Sequence, residues 1–267
     1  MRLTSSRRSE VRGRVRSRRS MVAAGYRALV MLPGVWIFPS LAALVALVFS
    51  AMLLRRFVRQ RRSYLALWAV ALLMYAVASA VVAAGALDGW TSAEFRAYWV
   101  LGAVLNVPFL AQGELDLLVR NRWVRSALYV ALAFVTAYTI ARVRTAAIDV
   151  DALGEQLPSG KEAFGDGTPA HRLPQLVSIP AYLVLIGGTL WSAWGMRGRP
   201  ELRDRFWGTL LIALGATVIA ALGSAFAALG ELLPFSLSLL AGVTVMFVGF
   251  LRASRRTTSE RVSAPTP

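Results

Sequence analysis

Long apolar runs alternate with short arginine clusters along this chain, and no other feature limits its fold as much. A hydrocarbon core about 30 Å thick takes roughly 20 residues of helix to cross. Seven runs reach that length, near Leu32–Leu54, Tyr64–Leu87, Phe95–Val119, Trp123–Ala141, Leu176–Met196, Phe206–Leu229 and Leu232–Leu251. Peptide groups inside hydrocarbon find no water, so each run must satisfy its own N–H and C=O groups as a helix. The predicted fold is all-α, a polytopic membrane protein with seven transmembrane helices. The hydrophobic share, 57%, exceeds the roughly 45–50% of soluble domains.

The arginines set the expected orientation. Sixteen fall on one side: Arg55, Arg56, Arg59, Arg61, Arg62, Arg120, Arg122, Arg125, Arg197, Arg199, Arg203, Arg205, Arg252, Arg255, Arg256 and Arg261. The loops of the other side carry five basic residues, Arg96, Arg142, Arg144, Lys161 and Arg172. The positive-inside rule places the first set in the cytoplasm. The C-terminal tail, residues 253–267, is then cytoplasmic and the N-terminus outside. The net charge of +16 reads as topology and not as a nucleic-acid surface. Residues 1–30 oppose this scheme, because nine arginines between Arg2 and Arg27 would have to cross. Two readings stay open. A start at Met21 or Met31 removes eight or all nine; otherwise the segment is a disordered basic tail. A cleaved signal peptide fits poorly, since the apolar run is too long and has no small-residue cleavage site.

The membrane domain spans residues 31–252, with one sizeable connection at 142–175. Its Asp149, Asp151, Glu155, Pro158, Gly160, Gly165 and Pro169 predict an extracytoplasmic loop with turns. An internal repeat is also legible. Ala78–Gly85 in helix two can be laid on Gly223–Gly230 in helix six, and helices one and five each open on a proline, Pro39 and Pro180, before Ser50-Ala51 and Ser192-Ala193. These matches suggest a 3+1+3 pseudo-repeat with helix four as linker. Chance similarity between alanine-rich helices is the competing account.

Several chemistries are excluded or disfavoured. The chain has no cysteine, so disulfides and thiolate metal sites are out. His171 is the single histidine and reads as a lone loop residue; no metal or cofactor is expected. Gly154–Glu162 imitates a phosphate loop but has five residues between its glycines, and Glu162 where Ser or Thr should stand. Without a second histidine or a thiol, an enzyme is not expected.

Polar residues inside helices are costly and therefore informative. On a wheel of about 100° per residue, Gly102, Asn106, Gly113 and Asp116 share one face of helix three, Gln112 borders it and Glu114 points away. This face is expected to wall a cavity. Alternatively its glycines only permit close packing, and Asp116 and Glu114 only pair with Arg120 and Arg122. Helix six aligns Gly208, Gly215, Gly223 and Gly230, and helix seven aligns Glu231, Ser238, Gly242 and Gly249, as packing stripes. Trp36, Trp90, Trp99, Trp123, Trp191, Trp194 and Trp207 read as interface anchors.

Phe95-Arg96, Tyr98-Trp99 and Gly102-Ala103 resemble the third-helix signature of an uncharacterised seven-helix family of actinobacteria and related bacteria. Leu157–Glu162, Leu211–Gly215 and Gly249-Phe250-Leu251 fit it too, so the likeness spans residues 35–252. It implies a bacterial plasma-membrane location and no established activity. More distantly, helix count and the faint repeat resemble the 3+1+3 superfamily of sugar and amino-acid exporters and microbial rhodopsins. Helix seven has no lysine to hold retinal. Pro174-Gln175 is similar to a pair found in some members, although it precedes the predicted fifth helix.

Two functions are carried forward. One is a small carrier of an organic solute or lipid. Its site would lie near the midplane between helices two, three, six and seven; Asn106, Gln112 and Asp116 would orient the ligand, and Tyr75 or Tyr182 would form walls. The other is a non-transporting scaffold, sensor or subunit that binds another membrane protein or a second copy. A polar cavity open to one side favours the first, and a tightly packed bundle with an exposed apolar seam favours the second.

Overall fold

The computed structural model describes residues 34–154 and 157–254. The expectations for the basic tail, for Glu155 and for Arg255, Arg256 and Arg261 lie outside the described residues. The chain divides into Met1–Val35 and Trp36–Pro267, and the second unit holds every element discussed below.

Among the described residues, seven helices are long and apolar enough to cross a membrane: α1 (Ile37–Gln60), α2 (Ser63–Asp88), α3 (Ser92–Leu118), α4 (Arg122–Thr145), α5 (Pro169–Met196), α6 (Pro200–Ala228) and α7 (Leu232–Ser254). There are no strands among these residues. α3 and α4 begin before the predicted apolar runs, at polar caps that precede them. Thr91 and Glu94 form a reciprocal capping box at the start of α3, and Asn121 accepts from the Trp123 N–H at the start of α4. The long connection is shorter than 142–175: α4 runs on to Thr145 and α5 begins at Pro169. Pro180 and Pro174-Gln175 thus lie inside α5, not at or before its start.

Six helices form a closed ring. Neighbours pack in the order α1, α2, α3, α5, α6, α7, and α7 returns to α1. Helix α4 stands outside this ring against α3, with only 6% of its apolar stretch buried. Replacing α1, α2 and α3 by α5, α6 and α7 maps the ring's neighbour order onto itself, as a 3+1+3 plan requires. Local geometry does not follow that mapping. α2 is one unbroken α-helix, whereas α6 contains a π-helical segment, Val218–Gly223.

Two more π segments interrupt α3 at Trp99–Leu105 and α5 at Pro174–Ser178. Proline lacks the N–H that would bond the carbonyl four residues earlier. Two of the carbonyls so orphaned receive donors from another helix. Pro108 frees the Val104 carbonyl, and the Ser178 hydroxyl shares its proton between the Ala103 oxygen at 2.8 Å and the Val104 oxygen at 3.0 Å. Pro174 frees the Ala170 carbonyl, which accepts from the Trp99 indole N–H at 3.0 Å. These exchanges tie α3 to α5, as hydrocarbon demands of broken helices.

At one end of the bundle, residues 146–154 and 157–168 form a cap. Phe164 packs on Phe95 and Trp99 with ring centroids 5.4 and 5.5 Å away, and Leu157 is fully buried. Arg96 donates to the Val143 and Ala146 carbonyls and so finishes α4. Gly160 of the would-be phosphate loop lies in this cap, pressed against the Trp99 ring. Trp90 and Trp99 are buried in the same aromatic cluster and are not interface anchors; Trp123, Trp191 and Trp194 are exposed, as anchors should be. His171 is mostly buried, its Nε2 3.9 Å from Asp166 Oδ1 and its Nδ1 without a partner, so it is not a surface residue.

Candidate functional site

Within the ring lies a partly open cavity of about 40 Å³. One water needs roughly 10–15 Å³ on this measure, so the space suits about three waters or a short stretch of hydrocarbon. Leu72 and Tyr75 of α2, Asn106, Val107 and Leu110 of α3, and Tyr182 and Leu185 of α5 line it. Ala216, Ile219 and Ala220 of α6 and Val243 and Met246 of α7 complete the wall. Tyr75, Asn106, Tyr182 and Val243 each fall near the middle of their helix, which sets the cavity at mid-depth. Helix α5 is part of this wall, in addition to the four helices expected.

The polar tips around the cavity already serve the bundle. Asn106 donates through Nδ2 to the Ala71 carbonyl at 2.8 Å, joining α3 to α2. The buried Tyr75 hydroxyl reaches across to α7 and donates to the Leu239 carbonyl at 2.9 Å. Tyr182 donates to Thr217 Oγ1 at 2.9 Å, and that hydroxyl donates to the Ala213 carbonyl at 2.8 Å. What faces the space is therefore largely aliphatic and aromatic carbon.

Gln112 and Asp116 are not in the cavity. From Asn106 to Asp116 the helix rises by roughly 15 Å, enough to carry the carboxylate to the arginine-rich end. There it accepts from Ser63 at 2.5 Å and from Tyr129 at 2.6 Å, with Gln112 Nε2 3.5 Å away. It thereby gathers the starts of α2 and α4 around the end of α3. Glu114, which the helical wheel turned away from the polar face, is buried instead against α5. Ser192 donates to it at 3.2 Å, and its stem packs on Gly188. α3 has neighbours on three sides, α2, α4 and α5, so groups on opposite faces of its wheel are all interior. Neither carboxylate pairs with Arg120 or Arg122; Lys161 pairs with Asp166, and Arg252 with Asp204.

The small residues divide by role. Gly113 leaves room for the Trp68 indole, whose N–H donates to the Leu110 carbonyl at 3.1 Å. Gly208 and Gly215 of α6 meet Gly249 and Gly242 of α7 backbone to backbone. Gly230 and Glu231 lie in the turn between these helices and outside the stripe.

A closed ring of six apolar helices, a fourth helix exposed outside that ring and a folded cap define a multi-pass integral membrane protein. No family model, no curated protein and no solved structure matches the chain.

Proposed function

We propose that the protein is a small carrier whose cargo occupies the central cavity, and that the cargo is mainly apolar. The observation behind this reading is the mid-depth cavity where five helices meet and where Tyr75, Asn106 and Tyr182 converge. The π segment of α3 ends at Leu105, immediately before Asn106, and that of α6 includes Ile219 and Ala220, so two cavity walls sit on interrupted helices. Such interruptions recur at functional sites. The cavity must widen to hold an organic molecule. Gln112 and Asp116 have no part in binding on this reading. They join the starts of α2 and α4 to the end of α3.

The second reading, a scaffold or subunit, rests on α4. This helix exposes Val130 and Phe134 and is held mainly through α3, so it is free to meet a partner helix. Purification in mild detergent followed by native mass spectrometry separates the two. A reproducible small-molecule or lipid adduct, lost in a cavity-filling variant, supports the carrier. A stoichiometric second protein with no such adduct supports the subunit.

The proposal includes orientation: the arginine-rich end faces the cytoplasm and the cap faces outside, in a bacterial plasma membrane. The sixteen-to-five count carries the orientation. The location follows the likeness of residues 35–252 to the bacterial seven-helix family.

A further inference from the structure

We infer that the cavity opens sideways to the bilayer between α5 and α6, that the Tyr182–Thr217 hydrogen bond latches this opening, and that the occupant is the hydrocarbon chain of a membrane lipid. The inference rests on the carrier reading and narrows its cargo.

Three observations carry it. Tyr182 lines the cavity yet is only half-buried, so its ring is the wall between the interior and the outside of the bundle. Thr217, its partner on α6, is half-buried as well. The neighbouring α5 side chain, Leu183, is 64% exposed.

Depth decides what lies beyond that wall. Tyr182 stands at the middle of Pro169–Met196, where the surroundings are hydrocarbon and not water. A solute arriving from water would need a path along the bundle axis. Towards the cap, Phe164 packs on Phe95 and Trp99 of α3, and Tyr98 joins the same cluster to Phe235 of α7; towards the other end, Glu114, Ser192 and Gly188 fill the space between α3 and α5.

The seam is also the easiest to part. The apolar stretches of α5 and α6 are 17% and 22% buried, against 56% for α2 and α7. By contrast, α6 and α7 are locked by glycine backbone contacts. With Leu185, Ile219, Val243 and Met246 facing the space, an alkyl chain meets matching surface, while the Tyr75 and Tyr182 hydroxyl protons and one Asn106 N–H are already engaged within the bundle.

The test uses the full chain in phosphatidylcholine nanodiscs doped with a phosphatidylcholine that carries a diazirine at mid-chain. Sites labelled on illumination are mapped by peptide mass spectrometry. Label is expected on Leu183, which faces lipid in any case, and on Val243, which is fully buried. Tyr182→Phe keeps the ring and removes the latch. Loss of one interhelical bond of average membrane strength should raise Val243 labelling roughly threefold. Ala216→Phe should abolish Val243 labelling and spare Leu183; if a thermal melt shows that it misfolds, Ala220→Leu takes its place. Label on Leu183 alone, in wild type and in Tyr182→Phe, overturns the inference, as does Val243 labelling that ignores both the latch and the filling variants. Transport of a water-soluble solute without Val243 labelling would sink the lateral route and keep the carrier. Lipid in the cavity of a protein that moves nothing between leaflets would do the reverse.

Discussion

Gly215 and Gly242 face each other so closely that each occupies the space a side chain on the other would need. A Cβ on Gly215 would lie 2.4 Å from the Gly242 carbonyl oxygen, and one on Gly242 would lie 2.8 Å from that of Gly215. Seven residues along each helix, Gly208 and Gly249 repeat the arrangement, each Cβ falling 2.6 Å from the opposite carbonyl. Both obstacles are backbone and neither can swing aside. Lipid tails are as apolar as leucine, so close backbone approach does much of the work of joining these helices.

The first prediction follows directly. Gly215→Ala is expected to lower the thermal stability of the detergent-solubilised protein by an amount corresponding to roughly 1–3 kcal/mol, the usual cost of overpacking. Gly187→Ala is the control. Its Cβ meets open space, and alanine favours helix over glycine by about 1 kcal/mol. Equal melting shifts in the two variants would remove the α6–α7 contact from this account.

Ser178 and Pro108 are expected to be coupled. Ser178→Ala leaves the Val104 carbonyl without its donor from α5, which costs about 1 kcal/mol. Pro108→Ala restores a backbone N–H in register with that carbonyl. The loss from Ser178→Ala should shrink when it is made on the Pro108→Ala background. A double-mutant cycle read by thermal denaturation measures this, and simple additivity would show that the serine does not serve the broken helix.

Asn106→Leu and Gly113→Leu should separate function from folding. Asn106→Leu gives up one bond to the Ala71 carbonyl, worth on average roughly 0.6 kcal/mol inside membranes, and puts branched carbon into the cavity. Gly113→Leu drives a Cβ to within 2.3 Å of the Trp68 indole nitrogen, so the indole must leave its bond to Leu110. The glycine accommodates a side chain here, not a neighbouring backbone. Melting curves should show the larger loss for Gly113→Leu, while cavity occupancy by the lipid probe should fall more for Asn106→Leu. Parallel losses in both assays would return Asn106 to a purely structural part.

The orientation is tested with single cysteines, since the chain has none of its own. Lys161→Cys, on the cap and 64% exposed in its side chain, should react with an impermeant maleimide on intact cells. Arg59→Cys should react only after the inner face is opened. Lys161 suits this test better than Gly165, whose φ of 85° strains any side chain. The reverse pattern would invert the topology.

Some of this was legible in the chain and some was not. The glycines at 208, 215, 242 and 249 announce a packing stripe because helical periodicity is a local property. That the stripes of α6 and α7 meet each other is not local. Asn106 could be singled out as a costly amide near the middle of an apolar run, yet its partner, the Ala71 carbonyl, carries no mark in the sequence. Glu114 was misplaced because a wheel presumes one inner face, and α3 is enclosed by α2, α4 and α5. Trp90 and Trp99 were misread for a related reason. Tryptophan near a helix end usually meets headgroups, but here a folded connection covers it.

Taken alone, the sequence determined seven crossings and an arginine-rich end, because the bilayer acts on each segment separately through hydrocarbon transfer and charge. Which helices close the ring, the exclusion of α4 and the cavity shared by Tyr75, Asn106 and Tyr182 were decided only in the tertiary structure. They depend on which surfaces fit at close range and on where broken backbones find donors, and both are properties of pairs of distant segments.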